Sequence, residues 1–121
     1  MSFYLTAFIE NSNPKISKSN KAAQIDICVK SSIVKKSIID CASTLGVKIT
    51  KSKDKLHVFG INNIYLLLIT INKTTLLNIK KWEYFFSFIE SRYHNLKESK
   101  KARFTQKEIN LINKFHNVKI N

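Results

Sequence analysis

Residues 23–59 read AQIDICVK (23–30), SSIVKKSIIDCASTLG (31–46), VKIT (47–50), KSKD (51–54) and KLHVF (55–59), and this stretch decides the fold. Over 23–30 the side chains alternate: Ile25, Ile27 and Val29 fall on one face, Gln24, Asp26, Cys28 and Lys30 on the other. A period of two is that of a half-buried strand. At Ser31 and Ser32 the period changes. Val34, Ile38, Cys41 and Leu45 recur at spacings of 4, 3 and 4, which is one face of a helix. Either serine can cap its start, and Gly46 stands just past its end, where a left-handed residue closes a helix. Val47–Thr50 and Leu56–Phe59 then flank a polar tract, which predicts a β-hairpin.

Working outward, residues 3–10 predict a short helix ended by the Asn-Ser-Asn-Pro turn at 11–14. Residues 15–21 are polar and lysine-rich, a loop or a weak edge strand. Residues 62–72 fit a helix with Ile64, Leu67, Leu68 and Ile71 inward and a cap at Asn62 and Asn63. The same run fits a core strand, and the helix is favoured. Over 80–93, Trp82, Phe85, Phe86, Ile89 and Tyr93 make one stripe opposite Glu83, Ser87 and Glu90, which predicts an amphipathic helix. A polar basic segment follows at 94–104. Thr105 with Glu108 forms a capping box for a last helix carrying Ile109, Ile112 and Phe115. No internal repeat or low-complexity linker divides the chain. The expectation is one basic α+β domain over 1–121, a small antiparallel sheet with helices packed on one face.

The chain has 121 residues, 21 Lys+Arg against 8 Asp+Glu, and a net charge of +13. A chain of this size buries about two-thirds of its surface on folding, enough for a core without disulfides or metals. A hydrophobic share of 44%, with 2 Gly and 1 Pro, argues against disorder despite the charge. The charge exceeds what solubility needs and points to a polyanion, nucleic acid in preference to a membrane surface. It is spread along the chain: residues 1–60 carry 10 Lys against 4 acids, and residues 61–121 carry 9 Lys and 2 Arg against 4.

Lys, Asn, Ile, Phe and Tyr make up 60 residues, and Gly, Ala, Arg and Pro only 10. The first group has AT-rich codons, so the source reads as an AT-rich genome, such as that of a mitochondrion or another organelle. Coding bias then accounts for much of the preference for Lys over Arg. No apolar run approaches the roughly 20 residues of a membrane span. The N-terminus reads as neither a secretory signal nor an Arg-rich transit peptide, which fits an organelle-encoded product with no cleavable targeting segment. Cys28 and Cys41 lack metal-ligand spacing and read as buried or incidental thiols.

Four segments resemble a single module of the LAGLIDADG homing endonuclease and intron maturase family. Leu5 to Asn13 (LTAFIENSN) stands where the signature helix would be. Ile33 to Val47 is similar to the first amphipathic helix, ending in Leu-Gly-Val before a hairpin. Ile61 to Ile71 is similar to the helix after that hairpin, and Thr75 to Lys81 (TLLNIKK) to the lead into the C-terminal helices. In the family an acid at the eighth signature position holds the metal that drives phosphodiester cleavage. Here that position is Ser12, and a neutral hydroxyl cannot replace a carboxylate as a hard-cation ligand. Glu10 remains at the sixth position, which is not the ligand. Ala7 stands for the central glycine and Asn13 for the closing one. The resemblance thus implies a nuclease scaffold without its nuclease.

No other chemistry is expected. Glu98-Ser99-Lys100 fits half of a different nuclease motif with no preceding Pro-Asp strand, and reads as a solvated face. His57, His94 and His116 are isolated and read as surface or structural residues. There is no Gly-rich phosphate loop, nucleophile elbow or paired carboxylate. No catalytic residue, metal ligand, cofactor or small-molecule substrate is expected. Trp82, Phe85 and Phe86 read as core, not as base-stacking platforms.

Three cationic clusters mark the candidate nucleic-acid contacts: Lys15, Lys18 and Lys21; Lys48, Lys51, Lys53 and Lys55; and Arg92, Lys97, Lys100, Lys101 and Arg103. Lys30, Lys80 and Lys81 complete the set. The hairpin side chains Lys48, Thr50, Lys55 and His57 are expected to form the sheet's binding surface, and the two Arg to suit bidentate phosphate contact or base stacking better than Lys. The function expected is a non-catalytic RNA-binding protein, a structural subunit of a mitochondrial or other organellar ribosome. Its partners would be ribosomal RNA and neighbouring ribosomal proteins, with no membrane. The alternative is a homodimeric homing endonuclease or intron maturase, Mg-dependent and acting on DNA or intron RNA.

Overall fold

The computed structural model describes residues 12–70 and 79–118. The expected helix at 3–10, most of the signature-like segment and the Thr75–Asn78 part of the fourth resemblance lie outside these residues. Within them the order is β1 (Asn13–Ile16), β2 (Ala23–Cys28), α1 (Ser32–Thr44), β3 (Thr50–Lys51), β4 (Lys55–Phe59), α2 (Ile61–Thr70), α3 (Lys80–Glu98) and α4 (Gln106–Asn117). The strands form one antiparallel sheet in the order β1-β2-β4-β3, so the α+β expectation holds.

Register follows from the alternation in β2. Ile25 pairs with Pro14 on one side and Val58 on the other, and Ile27 pairs with Leu56. These residues, with Ile16 and Val29, form the sheet's apolar face and are buried. Onto that face all four helices bring core side chains: Ile38 and Ala42 from α1, Ile64, Leu67 and Leu68 from α2, Phe85, Phe88 and Ile89 from α3, Ile112 and Phe115 from α4. Each fully buried Ile, Leu or Phe contributes about 1.5–3 kcal/mol relative to exposure, and this single cluster is what holds sheet and helices together.

The helix ends obey local rules. Ser31 caps α1, its hydroxyl accepting from the Val34 N–H at 3.3 Å. Gly46 takes a φ of +79° just after the helix, as a glycine there can without strain. Thr105 and Glu108 make the expected capping box at α4.

Four expectations are corrected. Asn13 and Pro14 belong to β1 and not to a turn; β1 is an edge strand, where proline's missing N–H is tolerated. The helix at 62–70 begins at Ile61, and Asn63 does not cap it. Its amide bonds both the N–H and the carbonyl of Lys48 instead, and this pinning accompanies the irregular path of 47–49. Strand β3 is correspondingly short. The fourth correction is α3, which runs on to Glu98, through residues expected in a basic loop. Its inward stripe is Trp82, Phe85, Phe88, Ile89 and Arg92; Phe86 and Tyr93 flank it, half-buried.

Candidate nucleic-acid interface

Opposite the apolar face, the sheet presents Lys15, Gln24, Asp26, Cys28, Lys55, His57, Phe59 and Thr50, as the pairing register requires. Cys28, Thr50 and Phe59 on this face are exposed, so Cys28 is an open thiol and not a buried one.

Asp26 lies at its centre and, against expectation, is buried at 4% exposure. Lys15 Nζ approaches its Oδ2 at 2.7 Å, His57 Nδ1 its Oδ1 at 2.8 Å, and Gln24 Nε2 donates to Oδ1 at 2.8 Å. Burial alone pushes the Asp26 carboxyl up, but the hydrogen bonds from Lys15, His57 and Gln24 outweigh it and hold the group at about 2. Ser52 Oγ sits 2.9 Å from His57 Nε2. The order serine–histidine–aspartate is that of an activated hydroxyl, yet the Ser52 N–H, the usual first donor to a developing oxyanion, is already bonded to the Lys55 carbonyl at 2.9 Å. The chain of contacts ties β1, β2, β4 and the hairpin tip together as a brace. His57 is a half-buried member of that brace, not a free contact residue.

Arg92 is the principal correction to the candidate set. It is buried at 6% exposure. Its guanidinium donates to Glu108 Oε1 at 3.3 Å, the Ala102 carbonyl at 3.1 Å and the Arg103 carbonyl at 3.3 Å. Its Cζ lies 4.2 Å from the Phe104 ring centre. Glu108, fully buried, also accepts from Ser91, Asn95 and the Thr105 N–H. Burial works against its ionised form, but these bonds and the Arg92 charge keep its carboxyl below the usual range. Arg92 thus fastens α3 to α4 and cannot reach a phosphate.

The remaining candidates fall into three regions. At one end of the sheet, Lys30, Lys51 and Lys53 are exposed, and Lys55 is half-buried beside them in sequence and register. The Val29 N–H donates to the Asp54 carbonyl at 3.0 Å, which draws Lys30 to the hairpin tip. Helix α1 adds Lys35 and Lys36, which the sequence reading missed; with Lys51 and Ser52 they line a groove of about 630 Å³. Lys35 Nζ bonds the carbonyls of Ser52 and Lys53, anchoring the tip. Nothing local in the sequence pairs 35–36 with 51–53.

In the second region Lys15, Lys18 and Lys81 line a groove with His116. Burial, Lys18 and Lys81 together push the His116 ring's pKa down, so it adds no charge of its own at neutral pH. Lys81 also lies 4.8 Å over the Phe115 ring, and Lys80 is 3.6 Å from Glu83. In the third, Lys97, Lys100, Lys101 and Arg103 are exposed, with Lys97 Nζ 5.7 Å from the Tyr93 ring centre. Lys48 is exposed but stands apart, its backbone held by Asn63.

Trp82 and Phe85 are buried in the core as expected, and Glu98, Ser99 and Lys100 are solvated. Among the described residues no group of His, Cys, Asp and Glu could hold a metal ion, and no helix is long and apolar enough to cross a membrane. Comparison with protein-family models, with curated proteins and with solved structures finds no match for this chain.

Proposed function

We propose that the chain is a non-catalytic RNA-binding protein, a structural subunit of a ribonucleoprotein and most concretely of an organellar ribosome. One observation carries the reading. Exposed lysines occupy three separate regions of the surface, while Asp26 and Glu108 are buried and paired. A protein that meets a polyanion on several sides needs this distribution; one that steers a single substrate into a cleft needs one focused patch. The AT-rich coding signature supports the organellar setting, and the resemblance to a homing-endonuclease module that has Ser12 in place of its metal acid supports a scaffold kept for binding.

The test is affinity for structured RNA against salt. Displacing counterions at 6–10 phosphates should cost about 10³–10⁵ in affinity between roughly 50 and 200 mM salt. A flat salt dependence would overturn the proposal. So would Mg²⁺-dependent cleavage of a long DNA duplex, which would favour the endonuclease alternative.

A further inference from the structure

The end of the sheet opposite the hairpin tip holds an aromatic pocket of about 320 Å³, lined by Asn20, Lys21, Gln24, Phe59, Arg92 and Phe104 among others. That is near the lower bound of ligand pockets, which run from about 300 to 1,000 Å³. We propose that this pocket takes one unstacked nucleobase of a single-stranded RNA segment, and so deepens the RNA-binding reading on which it rests.

Phe59 is the last residue of β4 and is 47% exposed. Its ring does not hang free: it stacks on His57 with centroids 5.5 Å apart and planes 19° from parallel. His57 is itself fixed by Asp26 and Ser52. A rigid, outward phenyl ring on a basic surface is a stacking platform, because every base offers it a flat face.

Phe104, which also lines the pocket, is held in place by its neighbours. Phe104 has Arg92 Cζ at 4.2 Å, Lys21 Nζ at 5.5 Å and Phe88 parallel at 6.2 Å from its ring centre. Lys21 reaches that place from a left-handed backbone, φ +59°, which is strained for a lysine. The loop fixes it there: the Lys21 N–H donates to the Ser17 carbonyl at 3.0 Å and the Ser17 N–H to the Ala22 carbonyl at 2.8 Å. Backbone strain that sets a cation in the lining of an aromatic pocket suits a phosphate next to a stacked base.

Two amides supply the polar edge. Asn20 Oδ1 accepts the Ala22 N–H at 3.0 Å, which leaves its NH₂ to donate. Gln24 Nε2 donates to Asp26, which leaves its carbonyl oxygen to accept. A donor and an acceptor beside an aromatic wall match the edge of a base, which has both kinds of group. In a duplex those edges are paired and the faces stacked, so the pocket selects unpaired RNA.

The test uses the whole chain with a short single-stranded RNA carrying 2-aminopurine and a duplex RNA of equal charge. Phe59→Leu keeps an apolar side chain but removes the ring; Phe59→Trp keeps a ring. Phe59→Leu should weaken single-strand binding about 5- to 150-fold, the range of base–aromatic stacking, and abolish quenching of the probe. Duplex binding should be unchanged, and Phe59→Trp should retain both affinity and quenching. Equal single-strand affinity in parent and Phe59→Leu, or equal losses on both RNAs, would overturn the pocket while leaving the RNA-binding reading in place. Failure of the parent to bind either RNA would remove that reading, and the pocket with it.

Discussion

Replacing Arg92 with methionine removes a buried charge while keeping most of the side chain's volume. The parent guanidinium makes three hydrogen bonds, to Glu108 and to the carbonyls of Ala102 and Arg103, and covers the Phe104 ring. Its partner Glu108 has a side-chain exposure of 0%. Removing one half of a buried pair costs about 3–5 kcal/mol, because the other half is left charged in a poor solvent. Glu108 would keep its bonds from Ser91, Asn95 and Thr105, which places the expected loss at the lower end, about 3 kcal/mol. A domain of this kind has about 5–15 kcal/mol in total, so the variant should fold but with a much lower urea midpoint at an unchanged slope. The pH dependence has a definite sign. A carboxyl whose folded pKa is depressed stabilises above its unfolded pKa and loses that contribution as pH falls through the folded value. Without Arg92 part of that contribution is gone, so the gap between parent and variant should be widest at neutral pH and narrow below about pH 4. A loss under about 1 kcal/mol, as for a surface pair, or a gap that widens in acid would refute the assignment. So would a fall in the salt slope of RNA binding. Arg92 reaches no phosphate, and only a residue that does should lower that slope, by about 0.7–0.9 per contact.

Asp26 should contribute to acid unfolding: its shift from 3.8 to about 2 corresponds to about 2 kcal/mol present at neutral pH and lost between roughly pH 4 and 2. Asp26→Asn should flatten that part of the acid unfolding profile, and an unchanged profile would contradict the brace. Lys30→Gln, Lys51→Gln and Lys53→Gln combined should lower the salt slope of RNA binding by about 2 to 3 and leave thermal stability nearly unchanged. Thr105→Ala should cost about 1 kcal/mol in urea unfolding by opening the capping box of α4. Gly46→Ala should cost about 1–2 kcal/mol, since alanine resists a φ of +79°, while its Cβ would make only an ordinary contact at 3.4 Å with Leu66 Cδ2.

What was legible in the sequence was local. The alternation at 23–28, the serine before α1, the glycine after it and the Thr105–Glu108 box all act within a few residues, and each was found where expected. The misread positions were polar groups buried by distant partners. Asp26 meets His57, 31 residues away, and Arg92 meets Glu108, 16 residues away. Periodicity assigns a charged residue to solvent by default, and only the fold supplies the counter-charge that lets it be buried. Asn63 was read as a cap because asparagine favours that role, whereas its amide holds Lys48 across 15 residues. The interface shows the same limit. Clusters read along the chain found the hairpin lysines but not Lys35 and Lys36, which join them only because α1 lies beside the tip.

The edges of the sheet have a consequence for the protein's behaviour when crowded. An open strand edge invites another chain to add to it, and long, flat, apolar edges seed aggregates. Here β1 carries Pro14, with no N–H to offer, beside the charged Lys15, and β3 is only two residues long, Thr50 and Lys51. Lys35 further occupies the carbonyls of Ser52 and Lys53 just beyond β3. Both edges of the described sheet are thus poor templates for a β-ribbon, which works against a chain rich in isoleucine and phenylalanine zipping onto its own copies.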